Sequence, residues 1–147
     1  MLGSMGNKFT NCEGVGNAQK YKICNNMALG IEMVSVCEAL YLSNKLGLDP
    51  RKMASIMINA TSKSWSVDTC TPVKGVAATP VPADRNYEFG FTSDLMVKDL
   101  GIAIRTANTV GADVTLAKEC VKLYQQVVDD GFVKKDFSYL YEDLMKH

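Results

Sequence analysis

From Asn17 to Leu46 the chain has no proline and a single glycine, Gly30, so one continuous helix of about 30 residues and roughly 45 Å is allowed. An element of that length sets the scale for its surroundings, because the other segments are shorter and must pack on it. Between Cys24 and Cys37 the only charged residue is Glu32, and Ile23, Met27, Leu29, Ile31, Val34, Val36, Leu40 and Leu42 spread around most of the circumference. A helix apolar on all sides has neighbours on nearly every side, which predicts a central rod. Asn25, Asn26, Glu32 and Glu38 lie within it and argue against a membrane span.

Two polar residues near the start of this rod stand out. Lys22 and Asn26 are four apart, so they sit one turn above the other on a single face. Spacing leaves two readings for Lys22. In one it snorkels to water from a helix end; in the other it is partly buried and transfers protons beside a neighbouring amide.

Composition narrows the chemistry. Sixteen Lys and Arg against sixteen Asp and Glu give no net charge, so nothing points to nucleic acid or to an anionic membrane surface. The only histidine is His147, which excludes a Ser/His/Asp or Cys/His triad and a histidine-based metal centre; no metal site is predicted. Cys12, Cys24, Cys37, Cys70 and Cys120 form no Cys-x-x-Cys pair and are odd in number, which predicts reduced, mostly buried thiols. A chain of 147 residues suits one domain with a sizeable core. Its first residues lack the cationic and apolar regions of a targeting peptide.

Taken in order, residues 6–12 predict a short strand and Glu13 to Gly16 a turn into the long helix. This imitates a dinucleotide-binding fingerprint, but Gln19 stands at the third glycine position and no second strand follows. Gly47 is placed to end the long helix, and Asp49 to cap a second one that has Pro50 at its first position and runs to about Ala60 with Met53, Ile56, Met57 and Ile58. Trp65 is expected to be a packing anchor in a short helix before Pro72. Pro72 to Gly90 reads as a long irregular loop. Phe91 to Thr109 predicts a helix with Leu95, Met96, Leu100, Ile102, Ala103 and Ile104 inward, on which Lys98-Asp99 reads as a solvated pair. After Gly111 comes a helix over Val114 to Asp130, with Leu116, Cys120, Val121, Leu123, Tyr124, Val127 and Val128 inward. Lys134 to Ser138, with Lys135 as a surface charge, leads into a last short helix carrying Leu140, Tyr141 and Leu144. The expected fold class is all-α.

The run Cys12-Glu13-Gly14-Val15-Gly16 through Lys22-Ile23-Cys24-Asn25-Asn26 resembles the Gly-x-Gly-x-x-x-Lys-x-x-Asn-Asn motif of the β-hydroxyacid dehydrogenases, in particular their mitochondrial-type 3-hydroxyisobutyrate dehydrogenase branch. Gly16 matches the first glycine, and Ala18 departs from the second. Phe91, Leu95 and Lys98-Asp99-Leu100 are similar to a second motif, Phe-x-x-x-Leu-x-x-Lys-Asp-Leu, and Lys134-Lys135-Asp136-Phe137-Ser138 to a third segment of that family. A Trp-Ser-x-Asp-Thr segment like that around Trp65 also occurs there.

The resemblance implies the C-terminal helical domain of the 6-phosphogluconate dehydrogenase-like type. Residues 1–15 would be the tail end of an N-terminal Rossmann domain and residues 16–147 an all-α catalytic and oligomerisation domain. By the same resemblance Lys22 is the catalytic acid/base and Asn26 holds substrate, while Lys98 and Phe91 meet the nicotinamide. The implied cofactor is NAD, bound mainly by the Rossmann domain. The implied reaction oxidises 3-hydroxyisobutyrate to methylmalonate semialdehyde in valine catabolism, in a homo-oligomeric, mitochondrial or otherwise cytoplasmic enzyme. This chain alone is then expected to be inert. Two alternatives stand beside that reading: a related tartronate or succinic semialdehyde reductase using NADPH, and a non-enzymatic oligomerisation module. Non-catalytic relatives tend to lose the motif lysine, and Lys22 is kept.

Overall fold

The computed structural model describes residues 10–146, and its helices follow the order α1 Asn17–Lys45, α2 Pro50–Asn59, α3 Trp65–Asp68, α4 Ser93–Val110, α5 Thr115–Asp129 and α6 Leu140–Leu144. Short 3₁₀ turns at Pro82–Arg85 and Phe137–Tyr139 complete the regular structure, and no strand occurs among the described residues. The expected strand is therefore not found at residues 10–12; the rest of that segment, residues 6–9, lies outside the described residues.

The central rod forms as expected, but it is not enclosed all round. Its buried residues are Gly30, Met33, Val34, Val36, Cys37, Leu40 and Ser43, a stripe at three- and four-residue spacing, while residues 18–22 stand in solvent and Leu42 is exposed. The neighbours α2, α3, α4, α5 and α6 all contact α1, yet they gather around its C-terminal part and leave the first turns as a projecting arm. By length and composition α1 could cross a bilayer, so its four polar residues do not exclude a span as firmly as expected; it serves here as the core helix under five others.

The predicted boundaries hold where a side chain or a glycine enforces them. Gly47, at φ +76°, turns the chain after α1, with its N–H donating to the Asn44 carbonyl at 2.9 Å. The Asp49 carboxylate accepts from the Arg51 N–H at 2.9 Å and caps α2 behind Pro50, satisfying a backbone donor that the helix itself leaves unpaired. Gly111 and Gly131, both left-handed, end α4 and α5. Trp65 is a correction: it is 53% exposed, because the inward positions of the single turn of α3 are taken by Ser66 and Val67. Leu95 and Leu116, expected inward, are exposed as well, each lying off the stripe its helix turns to the core.

Helix α4 packs closely on α1 at Gly30, where an added Cβ would stand 2.8 Å from Met96 Sδ and 3.1 Å from a Leu100 methyl. The Tyr124 hydroxyl of α5 donates to the Gly30 carbonyl at 2.9 Å, fixing the third helix at the same crossing. Met33, Leu40, Met96, Leu100, Tyr124, Phe137 and Leu140 are all within 1% of complete burial, and burial of an aliphatic side chain of this size contributes about 1.5–3 kcal/mol.

The long loop before α4 is tied at both ends of its last stretch. The Tyr87 carbonyl accepts from the Asp136 N–H and the Phe91 carbonyl from the Phe137 N–H, each at 2.8 Å. The Asp136 carboxylate is itself buried and accepts from the Ser138 N–H at 3.0 Å and from the Ser138 hydroxyl. Lys135 is not the free surface charge expected: its side chain is mostly covered and its ammonium donates to the Asn86 carbonyl at 2.8 Å.

Two outcomes follow from this clamp. Gly90 lies against the Asp136 carboxylate, where a Cβ would collide with carboxylate atoms that the Ser138 bonds hold in place. Gly90→Ala should therefore cost about 2 kcal/mol, read as a lowered denaturant midpoint at unchanged m-value. Burial raises the Asp136 carboxyl above its ordinary 3.8, so its protonated form is the one the fold favours. Its stabilising contribution is complete below pH 3.8 and is lost as pH rises through the raised folded value. The stability of the native chain relative to Asp136→Asn should accordingly fall across that window, as measured by melts at a series of pH values.

Candidate active-site cleft

The projecting first turns of α1 and the middle of α4 face each other across a cleft of about 90 Å³, lined by Gln19, Lys22, Ile23, Asn26, Asp99 and Ile102. The spacing explains the membership. Gln19, Lys22, Ile23 and Asn26 recur at three and four residues along one face of α1, and Asp99 and Ile102 are three apart on α4. Asn26 lies one turn before Gly30, and Asp99 lies between Met96 and Leu100, so the close crossing at Gly30 is what brings amide and carboxylate together.

Asp99 is the centre of the arrangement. It is only 5% exposed, and its Oδ2 accepts from Asn26 Nδ2 at 2.7 Å and lies 4.0 Å from the Lys22 ammonium, while its Oδ1 lies 3.3 Å from the Lys98 ammonium. Burying a carboxylate costs several kcal/mol unless partners replace its water. The amide donates the short bond, worth about 1.5–3 kcal/mol to a charged acceptor. The Lys22 and Lys98 side chains are 62% and 55% exposed, so each ion pair adds about 1 kcal/mol or less after screening. The solvated Lys98-Asp99 pair expected from the sequence is thus half wrong: Lys98 is at the surface, and Asp99 is in the core.

Three of the four predicted site residues meet at this carboxylate. Lys22 reaches water as the snorkelling reading holds, at the mouth of a cleft beside an amide and a carboxylate. Asn26 is half-buried below it and Lys98 sits on the rim. Phe91 is placed elsewhere. It precedes the N-cap of α4, about two turns from Lys98, and packs edge-on against Phe137 at 6.0 Å between centroids. It does not line the cleft.

Asp99 is the residue that sequence reasoning missed, and a signal for it existed. The inward residues of α4 are Ser93, Met96, Asp99, Leu100, Ala103 and Ala107, so an aspartate occupies the apolar stripe of its own helix, and a buried carboxylate needs a partner from another element. Trp65, turned away from the core, borders a separate cleft of about 430 Å³ with Asn25, Ala28, Leu29 and Glu32 on another flank of α1. Among the described residues no group of three or more His, Cys, Asp or Glu side chains is placed to hold a metal ion.

Known proteins share this architecture. A family model described as the NAD-binding domain of NADP-dependent 3-hydroxyisobutyrate dehydrogenase matches residues 16–144. The match and the fold place the chain in the class of helical domains found in nicotinamide-dependent dehydrogenases. Mitochondrial 3-hydroxyisobutyrate dehydrogenase of Drosophila melanogaster is 42% identical over 99% of this chain and 44% of its own length; the human protein of the same name is 40% identical over 98% and 43%. A Mycobacterium tuberculosis 3-hydroxyisobutyrate dehydrogenase, solved with L-serine, superposes with a TM-score of 0.88 at 33% identity, covering 97% of this chain and 48% of that one. The chain belongs to the 3-hydroxyisobutyrate dehydrogenase family, and it spans less than half the length of the curated relatives it matches.

The site geometry yields one stability test. Asn26→Ala removes the neutral donor to a buried carboxylate and should cost about 2 kcal/mol, whereas Lys22→Ala removes a screened, exposed pair and should cost about 1 kcal/mol or less. Chemical denaturation of the two variants beside the parent chain measures the difference.

Proposed function

We propose that this chain is the helical, proton-handling part of an NAD-dependent dehydrogenase that oxidises 3-hydroxyisobutyrate to methylmalonate semialdehyde. The observation that carries the reading is the convergence of Lys22, Asn26 and Lys98 on one buried carboxylate, Asp99. A residue set of this kind, open to solvent on one side and fixed on the other, suits the removal of a proton from a small alcohol. The L-serine that accompanies the Mycobacterium tuberculosis enzyme is itself a 3-hydroxy acid, which favours that substrate class.

A cleft of about 90 Å³ has room for the reacting end of a hydroxy acid and not for a dinucleotide. Residues 16–147 would therefore act as the catalytic and oligomerisation domain, residues 1–15 as the end of a preceding Rossmann domain that carries most of the nucleotide. NAD, when bound, supplies the acceptor for the hydride leaving the hydroxyl-bearing carbon. Within this chain, Lys22 in its amine form takes the hydroxyl proton as that hydride leaves, and its ammonium form returns the proton in the reverse direction. Asn26 holds the substrate and Lys98 borders the nicotinamide side of the cleft. Phe91, set back against Phe137, would act there only from a neighbouring wall. A homo-oligomer and a mitochondrial location complete the proposal, the second supported by the mitochondrial relatives.

A chimera tests it. This chain replaces the segment it matches in the Drosophila melanogaster relative, and the product is assayed for NAD reduction with 3-hydroxyisobutyrate. Turnover is expected, and Lys22→Ala should lower kcat by about 10²–10⁴ with cofactor binding kept. Undiminished kcat in that variant would refute the role of Lys22.

A further inference from the structure

An asparagine side chain can present either an acceptor or a donor to a ligand, and its fixed neighbours decide which. The Nδ2 of Asn26 stands 2.7 Å from Asp99 Oδ2. A carboxylate flanked by two ammonium groups offers acceptors only, so the end of the amide facing it must be the NH₂ end; a flipped amide would set two oxygens against each other. The amide oxygen is thereby left at the outer side. Its partner there is Asn25 Nδ2, which donates across 3.4 Å in an exposed position, a long contact that an entering group can replace.

From this we infer that Asp99 is a positioning residue that fixes Asn26 with its amide oxygen outward, so that Asn26 accepts a hydrogen bond from the hydroxyl of the bound 3-hydroxy acid and leaves the acid's carboxylate to other groups. The inference rests on the reading of this cleft as the hydroxy-acid site. It divides the labour in the cleft. The substrate hydroxyl rests its single proton on the Asn26 oxygen, and that same proton passes to Lys22, one turn away on the same helix face, as the hydride leaves. The ligand carboxylate gains nothing from the amide oxygen and is left to cationic groups other than Lys22. Selectivity between a hydroxy acid and the same acid without its hydroxyl then originates in Asp99, a residue that itself touches neither the hydroxyl nor the hydride.

The test uses the 147-residue chain, labelled with ¹⁵N for observation of its side-chain amides, and two probes that differ by one oxygen, 3-hydroxyisobutyrate and isobutyrate. The hydroxy acid is expected to shift the Asn26 amide resonances at least several-fold more than isobutyrate at equal concentration. In Asp99→Asn the amide can turn over, and this preference should fall towards equality, while other resonances keep their positions. Equal shifts from the two acids in the parent chain, or full preference retained in Asp99→Asn, would overturn the inference even if the cleft binds both. Absence of any response at Lys22 or Asn26 to either acid would overturn the reading of the cleft and the inference with it. Should Asp99→Asn fail to fold, Asp99→Ser, which removes the carboxylate and keeps a small polar side chain, takes its place, with the same loss of preference expected and full preference overturning the inference.

Discussion

The hydrogen bond from Asn26 to Asp99 is the interaction on which the rest of the site depends. Asp99 belongs to the inward stripe of α4, where a bare carboxylate would be strongly unfavourable, and the amide that relieves it comes from α1, 73 positions earlier in the chain. The two helices can supply each other only because Gly30, one turn along, removes the side chain that would hold them apart, leaving Met96 and Leu100 to fill the contact. A packing detail thus fixes a chemical one. Without the close crossing there is no covered carboxylate, and without the carboxylate the two lysines and the amide have no reason to share a cleft.

The same logic acts at the other end of α4. Asp136 is buried, satisfied by Ser138, and pressed against Gly90, and its backbone N–H holds the Tyr87 carbonyl while Phe137 holds that of Phe91. The stretch at and just before these ties includes Asn86, Tyr87 and Phe89, all in the left-handed region, a conformation that non-glycine residues keep only where surroundings enforce it. Clamped there, α4 is anchored at its start by polar bonds and in its middle by the crossing at Gly30. The register of Lys98 and Asp99 relative to α1 is set between those two points.

The projecting arm of α1 gives the domain its asymmetry. From Gly30 onward one face of the helix is core; before Gly30 it offers Gln19, Lys22 and Asn26 along one face and Tyr21 to open solvent. A rigid rod rooted in a packed core can hold functional groups beyond it without a flexible loop, since each turn is held by the next. This explains why polar residues cluster in the first turns of a helix that is otherwise apolar.

Much of this was legible in the sequence. The absence of proline between Asn17 and Leu46, the cap at Asp49, and the stops at Gly47, Gly111 and Gly131 are local events, decided by backbone geometry and short-range hydrogen bonds, and their positions followed from the residues themselves. The face shared by Lys22 and Asn26 is equally local, being a property of helical spacing. Burial was less accessible. Leu42, Trp65, Leu95 and Leu116 are apolar and were expected inside, yet stand outside, because an apolar residue is covered only where another element happens to lie, and hydropathy carries no record of where that is. Asp99 erred in the opposite sense, a charge taken for solvated that proves to be enclosed. Sequence alone determined the helices, their limits and the chemical groups on each face, since these depend on neighbours within a few positions. Tertiary structure decided which faces met, and with that the buried carboxylate, because a contact across 73 residues depends on packing that no local pattern encodes.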